Sequence, residues 1–192
     1  MDALSWALVA GLGWTSGLRL YATVFFIGLL HTSGQHQLPE SLAVLAHPWV
    51  LAVSGLLFVT ELLADKLPGF DSVWDAMHTF IRSPGGALLA AAAVVDADPG
   101  LAVAAGLLGG TLAAGAHFTK AGGRAVINLS PEPVSNWLAS LSEDVLSLGA
   151  LWAAVKFPLL ALILIGLLAL AGLLLLPGLW RSIRRVLAWR RD

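Results

Sequence analysis

The chain has no cysteine and a single tyrosine, and Asp, Glu, Lys and Arg make up only 12% of its 192 residues. Without a thiol there are no disulfides, no thiolate metal sites and no cysteine nucleophile. A formal net charge of -1 argues against nucleic acid as a partner. No Ser-His-Asp order, phosphate loop or dinucleotide fingerprint occurs, so those chemistries have no support. The opening MDALSWALVAGLG has no basic residue, and its apolar run continues too far for a cleaved signal. It reads as a first membrane helix.

What is present is apolar. Hydrophobic residues are 58% of the chain and mean hydropathy is +0.83, which places it among integral membrane proteins with room for one compact domain. The eight tryptophans suit interfacial anchoring. The expected fold class is an all-α polytopic membrane protein of about six transmembrane helices, since a span needs roughly 20 mostly apolar residues. The spans are expected at 4–30, 43–64, 71–95, 101–118, 137–155 and 157–176. The third must combine a polar helix with the short run 85–95. Residues 1–179 form one transmembrane domain, and 180–192 a basic amphipathic cytoplasmic tail suited to anionic lipid. Lys66, Arg82, Lys120, Arg124 and the tail fall on one side in this count and HTSGQHQLPES and DADPG on the other. By the positive-inside rule both termini are expected to be cytoplasmic. Gly106, Gly109, Gly110 and Gly115 in the fourth span permit close helix contact, and hence a homo-oligomer.

The spacing Gly11-x5-Gly17-x-Arg19 returns as Gly109-x5-Gly115-x-His117, and Pro39-Glu40, Trp49 and Thr60-Glu61 return in order as Pro131-Glu132, Trp137 and Ser142-Glu143. If this is a repeat, halves 1–95 and 101–179 run in opposite directions, the plan of many transporters.

The polar stretch 61–82 lies between apolar runs. Helical spacing puts Asp71, Asp75 and His78 on one face of a helix capped by Asp71-Ser72. Two carboxylates and an imidazole on one stripe could share a divalent cation or pass a proton; the alternative is a solvated face at the membrane surface. Arg19, deep in the first span, costs at least about 2.5 kcal/mol to insert unpaired. Its expected partners are Glu61, Glu143 and Asp144. His117 and Lys120 end the fourth span, Gly122-Gly123 beside Lys120 and Arg124 form a candidate anion nest, and Asn128 and Glu132 follow. Ser135 and Asn136 can cap the next helix.

The segments GLRLYATVFFIGLLH, PWVL, ELLADKLPGFDSVWDAMHTFIR, HFTKAGGRAVINLSPEPVSN and SEDV together resemble the bacterial membrane family called domain of unknown function 4126. The likeness runs from about Gly11 to Gly149 and implies that the polar segments are that family's signature. More distantly, Glu61-x3-Asp65-Lys66 and Glu143-Asp144 are similar to the paired acidic motifs of inverted-repeat calcium and manganese exchangers, with different spacing and no base after the second copy. Residues 69–75 resemble the end of the metal signature of CDP-alcohol phosphotransferases, whose upstream half is missing here.

The leading expectation is a small transporter or channel. Its ion or substrate path would comprise Arg19, Glu61, Asp65, Asp71, Asp75, His78, His117, Lys120, Arg124, Asn128, Glu132, Asn136, Glu143 and Asp144. It would move a divalent cation or couple transport to protons, and hard oxygen ligands favour magnesium, calcium or manganese. The alternatives are a metal-dependent enzyme on a phosphorylated or lipid-linked substrate at the cytoplasmic face, and a scaffold whose buried charges fix helix register.

Overall fold

The computed structural model describes residues 2–34, 38–67, 69–129 and 133–189, and among them every regular element is helical. Helix α1 is Ala3–Thr32, α2 is Glu40–Ala43 followed by a 3₁₀ turn, Val44–Ala46, and α3 is Pro48–Ala64. Then come α4 (Phe70–Ala92), α5 (Pro99–Ile127), α6 (Pro133–Lys156) and α7 (Pro158–Trp189). Three helices, α5 to α7, are long and apolar enough to cross a membrane by themselves, and α2 with α3 makes a fourth as a pair bent by 66° at His47. Exposed residues such as Leu56, Leu88, Leu107 and Leu174 cover the outside while charged side chains fill the interior. A soluble fold has the reverse arrangement.

Helix α1 departs from the expected single crossing. Asp2 caps its first turn, accepting from Ser5 N and Oγ at 2.9 and 2.8 Å, which holds the Asp2 carboxyl below its ordinary range. The backbone then leaves helical geometry at Arg19 (φ -145°, ψ 75°). There the chain folds back. The Thr23 hydroxyl bonds Arg19 O at 2.9 Å and the Thr15 hydroxyl at 3.0 Å, although residues eight apart on a straight helix are separated by about 12 Å along the axis. From Arg19 toward Gly11 the first half climbs α6 from Ser140 to Ala154, and from Arg19 toward Gly28 the second half climbs α3 from Asp65 to Leu51. Both halves therefore rise to one end of the bundle, where Ser41 of α2 meets Ala92 and Asp96 beyond α4. The span expected at 4–30 is a hairpin of two half-helices with Arg19 at its tip.

The order of the helices bears on the sidedness. Starting with α3, each long helix reverses the one before, and α7 runs beside α5 in the same direction, with Gly172 on Thr119 and Leu179 over Gly122. The C-terminal end of α7 thus lies at the end of the bundle opposite Asp2, where six full crossings would bring both to one end. The absence of native cysteine makes this testable. With a membrane-impermeant maleimide, Asp2→Cys and Ser33→Cys should be labelled from one side and Arg181→Cys from the other; labelling of residues 2 and 181 from the same side would restore a crossing first helix.

The hairpin also bears on the glycine repeat. A Cβ on Gly13 would fall 2.6 Å from Gly109 Cα, and one on Gly17 would meet Ala113 O. The two segments pack side by side in the same direction, but not position by position as the repeat aligns them: Gly11 faces Ala154 of α6, and nothing lies within 4 Å of a Cβ on Gly115. Halves related by inversion would run antiparallel, and α5 is an unbroken helix where α1 is folded back. Helix α4 completes this small-residue layer with Gly86 on Ala113 and Ala90 on Gly109.

The remaining boundaries shift modestly. Helix α4 passes through Pro84 and joins the polar stretch to the short apolar run as expected. It begins at Phe70 after Gly69, whose φ of +84° only glycine adopts readily, so Asp71 lies in its first turn and not at its cap. Helix α5 continues to Ile127 through Gly122 and Gly123. No loop nest for an anion exists there. Helix α6 starts at Pro133, which places Ser135 and Asn136 inside it. Helix α7 continues past residue 180 without a break. Glu132 lies outside the described residues.

Candidate functional site

The site is the set of charged side chains that meet beneath the hairpin tip. Arg19 arrives from α1, Glu61 and Asp65 from the end of α3, and Asp71, Asp75, His78 and Arg82 from the buried stripe of α4. His117, Lys120 and Arg124 come from one face of α5, and Asn136, Ser140, Glu143 and Asp144 from α6. Helical spacing places each set on one side, and insertion into lipid turns these sides inward.

The pairs form one connected network. Arg19 holds Asp65 at 2.5 Å, Asp144 at 2.8 Å and Glu143 at 3.6 Å, and also donates to Ser140 Oγ at 3.0 Å. Arg82 bridges Glu61 at 2.5 Å and Asp75 at 2.7 Å. Lys120 lies 2.8 Å from Asp65, 3.5 Å from Asp75 and 3.4 Å from Glu143, and donates to Leu18 O at the end of the hairpin's first half. Arg124 grips Glu143 with two parallel bonds of 3.0 Å, the fork geometry that suits guanidinium and carboxylate. It also approaches Asp71 at 3.8 Å and donates to Asp65 O and Asn136. Asn128 closes the end of the cluster, donating to both oxygens of Asp71 and accepting from Asn136.

Two histidines have assignable tautomers. Arg82 Nη1 can only donate, so His117 Nδ1 accepts at 3.0 Å and its Nε2–H donates to Thr79 Oγ1 at 2.8 Å. His78 is the reverse case. Its Nδ1–H donates to Trp74 O at 2.8 Å, and Nε2 accepts from the Tyr21 hydroxyl at 3.0 Å. The Trp74 ring stacks on His78 with ring centres 4.3 Å apart.

The charges do not balance. Six carboxylates (Glu61, Asp65, Asp71, Asp75, Glu143, Asp144) meet four bases (Arg19, Arg82, Lys120, Arg124). Lys66 lies at the edge, partly exposed, with its ammonium on Leu62 O. The Arg19, Arg82, Asp65 and Glu61 side chains are sealed, while Glu143 and Asp144 retain 13% and 18% of their exposure. Glu61 Oε2, Asp65 Oδ1 and Asp75 Oδ2 are buried without a hydrogen-bond donor.

The site residues read from the sequence that fall among the described residues all belong to this network or, for His78, adjoin it. The metal trio is corrected. Asp71, Asp75 and His78 do share the buried face of α4, but Asp71 is held by Asn128 and Arg124, Asp75 by Arg82, and His78 by Tyr21. Among the described residues no three His, Asp or Glu side chains are placed to hold a metal ion. Sequence reasoning missed Arg82, which it treated as a loop charge; the signal was available, since Arg82 follows Asp71, Asp75 and His78 at the same helical spacing.

Residues 6–177 match the family described as "Domain of unknown function (DUF4126)". No curated protein and no solved structure matches the chain.

Proposed function

The chain belongs to the DUF4126 family, and we propose that it is a small membrane carrier exchanging protons for a cation at the charge cluster. The observation that carries this reading is the excess of two carboxylates over bases in a network buried except at Glu143 and Asp144. Net charge buried away from water costs several kcal/mol per ion. Lys66 at the edge acts on Asp144; beyond it, positive charge from outside the network relieves the excess, as protons or as a bound cation, and the two forms of neutralisation compete. The hairpin supports the same reading. Broken helices whose ends meet within the bundle are where carriers build their sites, and here Arg19 and Leu18 O at the break both touch the cluster.

In the bilayer, α3 to α7 cross and α1 enters and returns from one side. Lys66, Lys120, Arg124, Arg181 and Arg184 lie toward the cytoplasm by the positive-inside rule, with the C-terminus there and the N-terminus opposite, in a bacterial inner membrane. A metal-dependent enzyme finds less support, because the carboxylates are each engaged by bases or amides.

The test is proton movement in liposomes carrying a trapped pH dye, on addition of magnesium, calcium, manganese or an organic cation. Wild-type protein should couple cation entry to proton exit. Glu61→Gln lowers the excess of carboxylates by one and leaves Arg82 paired with Asp75, so it should fold as well as wild type and lose the coupling. Full coupling in that variant would remove Glu61 from the mechanism, and no coupling with any cation would refute the carrier.

A further inference from the structure

Beside the cluster a cavity of about 590 Å³ opens between α5, α6 and α7, with the first half of the hairpin as its back wall. Its lining is almost entirely apolar, from Trp14, Leu18, Leu112 and Leu146 to Leu168–Leu176 on α7, and its polar end is formed by Lys120, Arg124 and Glu143. We infer that this crevice binds the carried species, and that the species is an organic cation with an apolar body, entering sideways from the bilayer. The inference rests on the carrier reading and adds the substrate class.

Charge decides the sign of the occupant. Lys120 and Arg124 have their donors committed to Asp65, Glu143, Asn136 and backbone carbonyls, and both are sealed. Glu143, although Arg124 bonds both of its oxygens, is the one of the three that retains exposure on the same wall, and behind it lies a network with more carboxylates than bases. A cation placed there relieves that excess; an anion adds to it. The walls decide the rest. A hydrated metal ion gains nothing from leucine surfaces and finds no three-ligand site among the described residues, whereas an apolar body of drug size fills a cavity of this volume. The crevice is also kept open by its own sequence: Gly115 and Gly123 line it, and a Cβ on either would meet no atom within 4 Å. Side chains at these two positions would project into empty space without displacing the backbone.

The experiment measures binding of tetraphenylphosphonium to the protein in phosphatidylcholine nanodiscs, with protein-free discs subtracted and tetraphenylborate as the anion of matching shape. Saturable tetraphenylphosphonium binding is expected. It should weaken by about tenfold or more in Gly115→Leu and Gly123→Leu, which fill the crevice, and in Glu143→Gln, which removes the charge partner. Thermal unfolding of the two leucine variants should match wild type. Tetraphenylphosphonium that only partitions into lipid, binding unchanged in both leucine variants, or tighter binding of tetraphenylborate would each overturn the inference. The carrier reading is scored separately. Proton movement driven by metal ions alone would leave it standing with this substrate class refuted, and saturable tetraphenylphosphonium binding without any proton movement would keep the crevice and refute the carrier.

Discussion

Arg82→Met should yield little or no folded protein. The substitution keeps roughly the same length of side chain, strips Glu61 of the base 2.5 Å away, and takes from Asp75 its partner at 2.7 Å, leaving it only Lys120 at 3.5 Å. Breaking one buried pair costs about 3–5 kcal/mol, because the remaining charge stays desolvated and unpaired. Here one change breaks two, and a cluster with two surplus carboxylates acquires a third. The recovery of a monodisperse peak in detergent, followed by thermal unfolding, measures the loss. The triple variant Arg82→Met, Glu61→Gln, Asp75→Asn removes one positive and two negative charges, lowering the excess of carboxylates from two to one, and should recover most of the stability, since replacing a whole buried ionic group by neutral side chains of similar size is often close to neutral. Failure of the triple variant to recover would mean that Arg82 acts through its packing and not its charge.

The second large effect is steric. Gly17→Ala places a Cβ 2.2 Å from Ala113 O, and Gly109→Ala places one 2.2 Å from Ala90 Cβ. In the first case the obstacle is backbone, which cannot rotate aside, and in both the helices concerned are held on two sides. Separation of α1, α4 and α5 at this layer would also pull Arg19, Arg82 and Lys120 off their carboxylates. The expected loss exceeds the roughly 1–3 kcal/mol of ordinary overpacking, read as a lower unfolding temperature or loss of the folded peak. Gly149→Ala and Gly166→Ala, where nothing lies within 4 Å of the added carbon, should be harmless or slightly stabilising, as glycine is a poor helix former. Equal tolerance of Gly17→Ala would show that the hairpin and α5 are not in direct contact.

Much of this was legible from residue types and spacing. Apolar runs located α3, α5, α6 and α7, and the cost of an intramembrane arginine pointed Arg19 inward to an acid, though the nearest proved to be Asp65 and not Glu61. The hairpin was not legible, because its reversal needs no glycine or proline at the turn: the Thr23 hydroxyl donates to Arg19 O and Lys120 to Leu18 O, partners for the carbonyls at the break. The extent of α5 was misjudged for a related reason. Gly122 and Gly123 look like a loop by their propensity in water, but in lipid an unpaired backbone is so costly that helix persists through them. Likewise α1 and α4 are less apolar along their length because each turns a polar face, with Thr15, Ser16, Arg19 and Thr23 on α1 and Asp71, Asp75, His78 and Arg82 on α4, toward other helices.

The folded-back first helix has a consequence for how the protein is made. Arg19 leaves the ribosome long before its partners: Asp65 follows only after α3, and Glu143 and Asp144 only in α6. Until then the hairpin carries an unmatched charge at its tip and has no glycine-lined neighbour to lean on, because α5 is also still to come. Stable burial of the first thirty or so residues is therefore a late event in synthesis, completed from the C-terminal side, and a nascent chain stalled before α6 holds its N-terminal hairpin only provisionally.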